Sequence, residues 1–322
     1  MNFKSDIYAY IISSLLIIII ASPLILFKGS NPESKLSGYH SEFFQIPFAI
    51  NNPDSVYILP EDLKEVSGLA YFKEEKLYAV NDEKGILYLY NLHSGEIESE
   101  IKFGKKGDYE ALARKNNNIY ISNSKGNITV VDIVSGNKID EFKTSLSRKN
   151  NVEGICFDST GNQLLIACKG KLKSGKNKPG KKGIYSLNLT TQELDKKPYQ
   201  IVDLKEDLQI LIPENIVNNS VLKLGLNTQI NMFAPSGLAI DPITNNLYIL
   251  ANKGKLLIII DDSKTLLGIY FLNQALFNQP EGIAFDEEGN LFISNEARAS
   301  KANIVSLKRD TIEEKIEIET EG

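Results

Sequence analysis

Along most of the chain, apolar runs of roughly five residues alternate with short polar turns, the pattern of many brief β-strands rather than helices. The longest runs open on one recurring phrase. It reads Val66-Ser-Gly-Leu-Ala-Tyr71, Tyr109-Glu-Ala-Leu-Ala113, Val152-Glu-Gly-Ile-Cys-Phe-Asp158, Pro235-Ser-Gly-Leu-Ala-Ile-Asp-Pro242 and Gln279-Pro-Glu-Gly-Ile-Ala-Phe-Asp286. The residues before the Gly or Ala are Ser67, Glu110, Glu153, Ser236 and Glu281, spaced by 43, 43, 83 and 45 residues. A period in the low forties with several strands per unit is the mark of propeller blades. Each phrase is followed by a second apolar strand (Lys76 to Val80, Asn118 to Ser122, Gln163 to Ala167, Asn246 to Leu250, Asn290 to Ser294), a polar turn and a third strand. A fourth, more polar strand ends the unit. The predicted fold is therefore an all-β propeller with five visible blades of four antiparallel strands.

Opening strands such as Gly282-Ile-Ala-Phe285 are apolar on both faces, as expected of a strand squeezed between two neighbouring blades, whereas Ile97-Glu-Ser-Glu-Ile-Lys-Phe103 alternates like an outer strand. That gradient places the first strand of each unit nearest the axis. The interval of 83 residues holds a lysine-rich loop from Lys169 to Lys182 and a short helix expected around Glu206 to Leu211. Two readings stand for it: one blade with insertions, giving five, or a degenerate sixth blade without the phrase. Val56-Tyr-Ile-Leu59 precedes the first phrase as fourth strands precede the others, so it is expected to complete the last blade and close the ring.

Composition changes the picture at the N-terminus. Ile7 to Phe27 carries no charged residue and as a helix would span about 31 Å, one bilayer crossing. The segment reads as a retained signal anchor (7–27) after a tail (1–6) and before a polar linker (28–38), with the propeller over 39–322; a cleaved signal peptide is the competing reading. Nothing else is apolar enough to cross, so the body should lie on one side, and the N-terminal position of the segment makes export the expectation, to the periplasmic or extracytoplasmic side of a bacterial inner membrane. With 36 basic and 41 acidic residues and a net charge of -5, the chain offers no global basic field, and nucleic acid is not the expected partner. A monomeric propeller is expected.

Candidate chemistry gathers at the anchor positions. Glu110, Glu153 and Glu281 stand at the same height in their blades and should rim one mouth of the central channel; crowded carboxylates need a cation, bound water or a raised pKa. Asp82, Glu83, Asn295 and Glu296 begin the loops after second strands and should join them, with Asp108, Asn123, Lys169, Asn252 and Lys253 nearby as ligand-binding residues. These are hard oxygen donors, so the expected metal is Ca²⁺, or Mg²⁺ with waters. The structural alternative is a rim of turn caps neutralised by Lys84, Lys125, Lys169 and Lys253. Nucleophile-and-base catalysis finds little support, since His40 precedes the first blade and His93 sits in an outer turn. Cys156 and Cys168 fall on adjacent strands at offset registers, so both are expected as buried thiols rather than a disulfide.

Leu59-Pro60, Glu65-Val-Ser-Gly-Leu-Ala70, Asn81-Asp-Glu-Lys-Gly85, Gly107-Asp-Tyr-Glu110, Asn151-Val-Glu-Gly154, Ala234-Pro-Ser-Gly237, Gln279-Pro-Glu-Gly282 and Ser294-Asn-Glu296 together resemble the SdiA-regulated family of bacterial propellers. That resemblance runs from about Asn52 to Leu307. It implies a β-propeller behind an N-terminal membrane or export segment and no defined reaction. More remotely the layout resembles calcium-dependent gluconolactonases and strictosidine-synthase-like propellers, in fold alone. Three functions follow as expectations: a module binding a divalent cation and a small-molecule or protein ligand at the acidic mouth, a metal-dependent hydrolase of lactones or phosphoesters, or an envelope scaffold.

Overall fold

The computed structural model describes residues 38–40, 44–211, 227–298 and 300–310. The anchor expected at 7–27 and its linker up to residue 37 lie outside them, and no helix among the described residues is long and apolar enough to cross a membrane.

Five antiparallel sheets stand around an axis. Blade 1 runs outward as β3 (Val66–Lys73), β4 (Lys76–Asn81), β5 (Ile86–Asn91) and β6 (Glu96–Lys102). Blade 2 is β7 (Tyr109–Lys115), β8 (Asn118–Asn123), β9 (Asn127–Asp132) and β10 (Asn137–Lys143). Blade 3 is β11 (Val152–Asp158), β12 (Gln163–Cys168) and β13 (Lys181–Asn188), whose outer edge is shared by β14 (Glu193–Leu194) and β15 (Gln200–Asp203). Blade 4 is β16 (Ala234–Ile240), β17 (Leu247–Lys253), β18 (Leu256–Ile260) and β19 (Leu266–Phe271), with β1 (Gly38–His40) as a fifth strand. Blade 5 is β20 (Pro280–Phe285), β21 (Leu291–Asn295) and β22 (Asn303–Leu307), completed by β2 (Ser55–Ile58) from the start of the chain.

The long interval is thus one blade with a divided outer strand, followed by α1 (Leu204–Leu211), and no sixth sheet stands among the described residues. His40, expected ahead of the first blade, has its backbone opposite Gly268 in blade 4. The outer hairpins share one device: Asn91, Asp132 and Asn188 each turn a side-chain oxygen onto the backbone N–H groups of the turn that follows. The core lies in the layers between blades, with Tyr88, Tyr185, Tyr248 and Phe277 almost wholly enclosed. A strap carrying Ile46, Phe48 and Ile50 is buried against blades 4 and 5 before the chain enters β2. Cys156 faces Leu165 and Cys168 faces Val152, so the two thiols are free and buried as the register predicted.

Inner strands meet at the glycines of the recurring phrase. A Cβ on Gly68 would lie 2.9 Å from the Ala111 Cα of blade 2, and one on Gly237 would lie 2.8 Å from the Glu281 carbonyl of blade 5. Such approach excludes a side chain, which explains the repeated small residue after each anchor.

Candidate functional site

In all five inner strands the ladder slips at the anchor. Register shifts fall between Val66 and Gly68, Tyr109 and Ala111, Val152 and Gly154, Pro235 and Gly237, and Pro280 and Ile283. The residue at each slip is Ser67, Glu110, Glu153, Ser236 or Glu281. A bulge takes its residue out of the in-and-out alternation of the strand and re-aims the side chain, which frees these five from the faces packed on neighbouring blades.

The two serines hold the ring. Ser67 Oγ donates to the Tyr109 carbonyl of blade 2 at 2.7 Å, and Ser236 Oγ donates to the Pro280 carbonyl of blade 5 at 2.8 Å. Each accepting peptide directly precedes a glutamate. Ser67 therefore fixes the peptide that carries Glu110, and Ser236 the one that carries Glu281.

Glu153 has a different support. Its Oε1 accepts from Asn151 Nδ2 at 2.6 Å and from the Lys169 ammonium at 3.0 Å. Lys169 comes directly after β12 of the same blade and is held by its N–H on the Asn151 carbonyl at 2.9 Å. Burial works to lower its pKa, but Glu153, Glu281 and Glu110 outweigh that and leave it raised. One ammonium thus answers all three carboxylates. Even so, burial, with Glu153 and Asp108 adding, pushes Glu110 up to about 9. Burial, with Glu153 adding and Lys169 opposing, pushes Glu281 up to about 8. Glu153 is raised by burial despite its lysine. The mouth thus sets Lys169 against Glu153 at 3.0 Å, and the carboxyls of Glu110 and Glu281, pushed up to about 9 and about 8, favour their protonated forms at neutral pH.

The remaining predicted residues divide. Asn252 belongs to the mouth: its Nδ2 donates to Glu281 Oε1 at 2.5 Å and its Oδ1 accepts from Lys255 Nζ at 2.9 Å. Asp108 lies beside Glu110 and accepts from Ser124 Oγ. Glu296 acts on Glu281 and on Asp82; it accepts from Gln279 Nε2, and burial raises its pKa. Asp82 is pushed up to about 6 by burial, then by Glu65, Glu296 and Glu83, and its Oδ1 is buried without a hydrogen-bond partner. Glu83 and Lys253 are exposed.

Asn295 and Asn123 do other work. The Asn295 amide donates to the Leu276 carbonyl and to Asn303 inside blade 5, and Asn123 Oδ1 caps the turn to Lys125 and Asn127. Of the lysines considered for neutralising the rim, Lys169 does so, while Lys84 pairs with Asp62 at 2.5 Å. Sequence reasoning missed Asn151, Lys182 and Lys255. Burial lowers the pKa of both lysines, with Lys169 adding to the effect on Lys182. Among the described residues no group of three or more His, Cys, Asp or Glu side chains is arranged to hold a metal ion. His93 is exposed in the turn after β5.

Sequence comparison adds to this geometry the same family that the motifs suggested. The SdiA-regulated family model matches residues 188–298. This SdiA-regulated match spans the end of blade 3, strands β16 to β19 of blade 4 and the first two strands of blade 5, and so includes Asn252, Glu281 and Glu296. No curated protein matches the chain. Among solved structures, Myxococcus xanthus glutaminyl cyclase superposes with a TM-score of 0.55 at 12% identity, covering 81% of this chain and 97% of that one. A luciferin-regenerating enzyme gives a TM-score of 0.47 at 11% identity, covering 80% of this chain and 95% of its own. The likeness to the cyclase is one of fold alone.

Proposed function

We propose that this chain is a membrane-anchored, extracytoplasmic propeller that binds a small-molecule or protein ligand at the mouth built by Glu110, Glu153, Glu281, Lys169 and Asn252. The observation that carries this reading is the set of bulged carboxylates from three blades around one ammonium. The fold does not require a carboxylate at these positions, since blades 1 and 4 carry Ser67 and Ser236 there. Buried carboxyls with strongly displaced pKa values concentrate at functional sites because keeping them costs stability. The mouth suits a ligand that brings a positive or hydrogen-bond-donating group to Glu110 and Glu281 and an acceptor for Lys169.

A divalent cation, Ca²⁺ or Mg²⁺ with its waters, enters this reading through the same oxygens, in competition with the Lys169 ammonium. Ca²⁺ titration of the full chain followed by thermal melting tests it: Lys169→Met should increase a Ca²⁺-dependent rise in Tm, and no rise in either protein removes the cation. One observation favours hydrolysis as a second reading. Glu281 and Glu110, pushed up to about 8 and about 9, favour the protonated form near neutral pH, as a general acid must, and Glu153 stands beside them against the Lys169 ammonium. A screen of esters, lactones and phosphodiesters decides between the two. Turnover abolished in Glu281→Gln supports the enzyme, and ligand-dependent stabilisation without turnover supports the binding module.

A further inference from the structure

Beyond Lys169 and Asn151, which serve the mouth, two segments of blade 3 form a basic platform whose exposed cations neither reading of the carboxylates uses. Residues 143–152 and 169–182 contain no Asp or Glu and no aromatic residue. The structure zips them together: Lys169, Gly170 and Lys171 donate their N–H groups to the carbonyls of Asn151, Asn150 and Lys149 at 2.9, 2.7 and 2.8 Å. Asn150 Nδ2 returns a bond to the Lys171 carbonyl at 2.9 Å, and Lys173 Nζ reaches Ser145 Oγ at 2.5 Å. Buried Leu172 and the bond from the Lys173 N–H to the Tyr185 hydroxyl at 2.7 Å pin the longer loop from below. The result is a supported surface that carries Arg148, Lys149, Lys171, Lys173, Lys176 and Lys178, all exposed. None of the six belongs to an ion pair among the described residues, while Glu153, Glu141 and Asp203 are paired with Lys169, Lys138 and Lys181 instead.

Six unpaired cations on one supported face of a chain with net charge -5 mark a docking surface for a dense field of anions. We infer that this platform rests on an anionic phospholipid surface. Lysines act as point charges toward phosphate, and a charged leaflet attracts each of them. Without aromatic side chains the platform offers nothing on which nucleobases stack, which disfavours single-stranded nucleic acid. The chain also carries its own route to a bilayer. The apolar segment 7–27 ends about ten residues before β1, a linker whose extended reach is at most roughly 33 Å, which keeps the domain close to a bilayer that holds the segment. The strand β1 lies on blade 4, next to the blade that bears the platform.

The test is hydrogen–deuterium exchange of the full chain in nanodiscs of phosphatidylglycerol and of phosphatidylcholine. Slowed exchange over 143–151 and 169–182 is expected with phosphatidylglycerol only. It should be lost at 0.5 M salt, as screening demands, and lost in the exposed-loop variant Lys171→Gln/Lys173→Gln/Lys176→Gln/Lys178→Gln. Co-elution with the discs reports separately on segment 7–27. Equal exchange in the two lipids, failure to associate with either disc, or protection by soluble polyphosphate but not by phosphatidylglycerol would overturn the inference.

Discussion

Ser67 and Ser236 look at first like positions where the functional carboxylate has been lost. Their hydroxyls instead hold the peptides in front of Glu110 and Glu281. Ser236→Ala removes one buried hydrogen bond and leaves the Pro280 carbonyl unanswered; a loss of about 1–2 kcal/mol in urea unfolding is expected, with Ser236→Thr retaining part of it. The glutamates themselves set a pH dependence. Their pKa values in the folded chain, about 8 for Glu281 and about 9 for Glu110, stand above the unfolded carboxylate value of roughly 4.3. The folded state therefore binds more protons between those limits, and stability from these groups is full below about pH 4 and lost as pH rises through 8 and 9. Melting curves from pH 5 to 9.5 should show Tm falling, and the fall should flatten in Glu110→Gln and Glu281→Gln, whose amides cannot ionise. An unchanged slope in both variants would show that the mouth carboxylates titrate normally.

Elements explain why some of this was legible in the chain and some was not. The repeat, the inner strands and the closing strand β2 announce themselves because packing between blades enforces apolar residues on both faces of each first strand, and that demand leaves a period. The bulges leave no such trace: an extra residue in a ladder looks like any other until the partner strand is paired with it. The three glutamates were therefore read as channel residues from their spacing, while the device that turns them off the strand was invisible. Asn295 shows how one side chain can divide: its amide N–H groups are used by Leu276 and Asn303, while its Oδ1 is buried without a hydrogen-bond partner, and no sequence spacing reveals that split. Lys169 is one of several lysines in equivalent loops, and only its contacts with Glu153 and Asn151 single it out. The close approach at the anchors gives an element-scale prediction. Gly237→Ala would place a methyl 2.8 Å from the Glu281 carbonyl, on backbone that cannot swing aside. About 1–3 kcal/mol of destabilisation is expected from forced overpacking, together with a weakened mouth on blade 5. Gly136→Ala, in an outer turn with nothing within 4 Å but a φ of 67°, should cost less, about 1 kcal/mol from backbone strain alone.

For the whole molecule, the ring is closed from both ends of the chain at once. The strand β2 pairs with β22, and Arg309, just beyond β22, sends its guanidinium to Asp241 of blade 4, whose side chain is wholly buried. Removing that partner leaves an uncompensated buried charge, so Arg309→Met should cost about 3–5 kcal/mol, against a typical total of 5–15 kcal/mol for a domain. The strap is the larger contribution. Ile46, Phe48 and Ile50 are each nearly inaccessible, and at about 1.5–3 kcal/mol per buried side chain they represent about 5–9 kcal/mol of burial against Tyr248, Tyr270, Phe277 and Phe285. Loss of β2 would add an exposed edge on β22. A chain starting at Leu59 is therefore expected to lose its cooperative melt, even though it retains every copy of the recurring phrase. A chain starting at Phe44 keeps both closing elements and should melt cooperatively. If the Leu59 chain folded with an unchanged Tm, the blades would hold together through their inner strands alone, and the first fifty-eight residues would serve only to tether them.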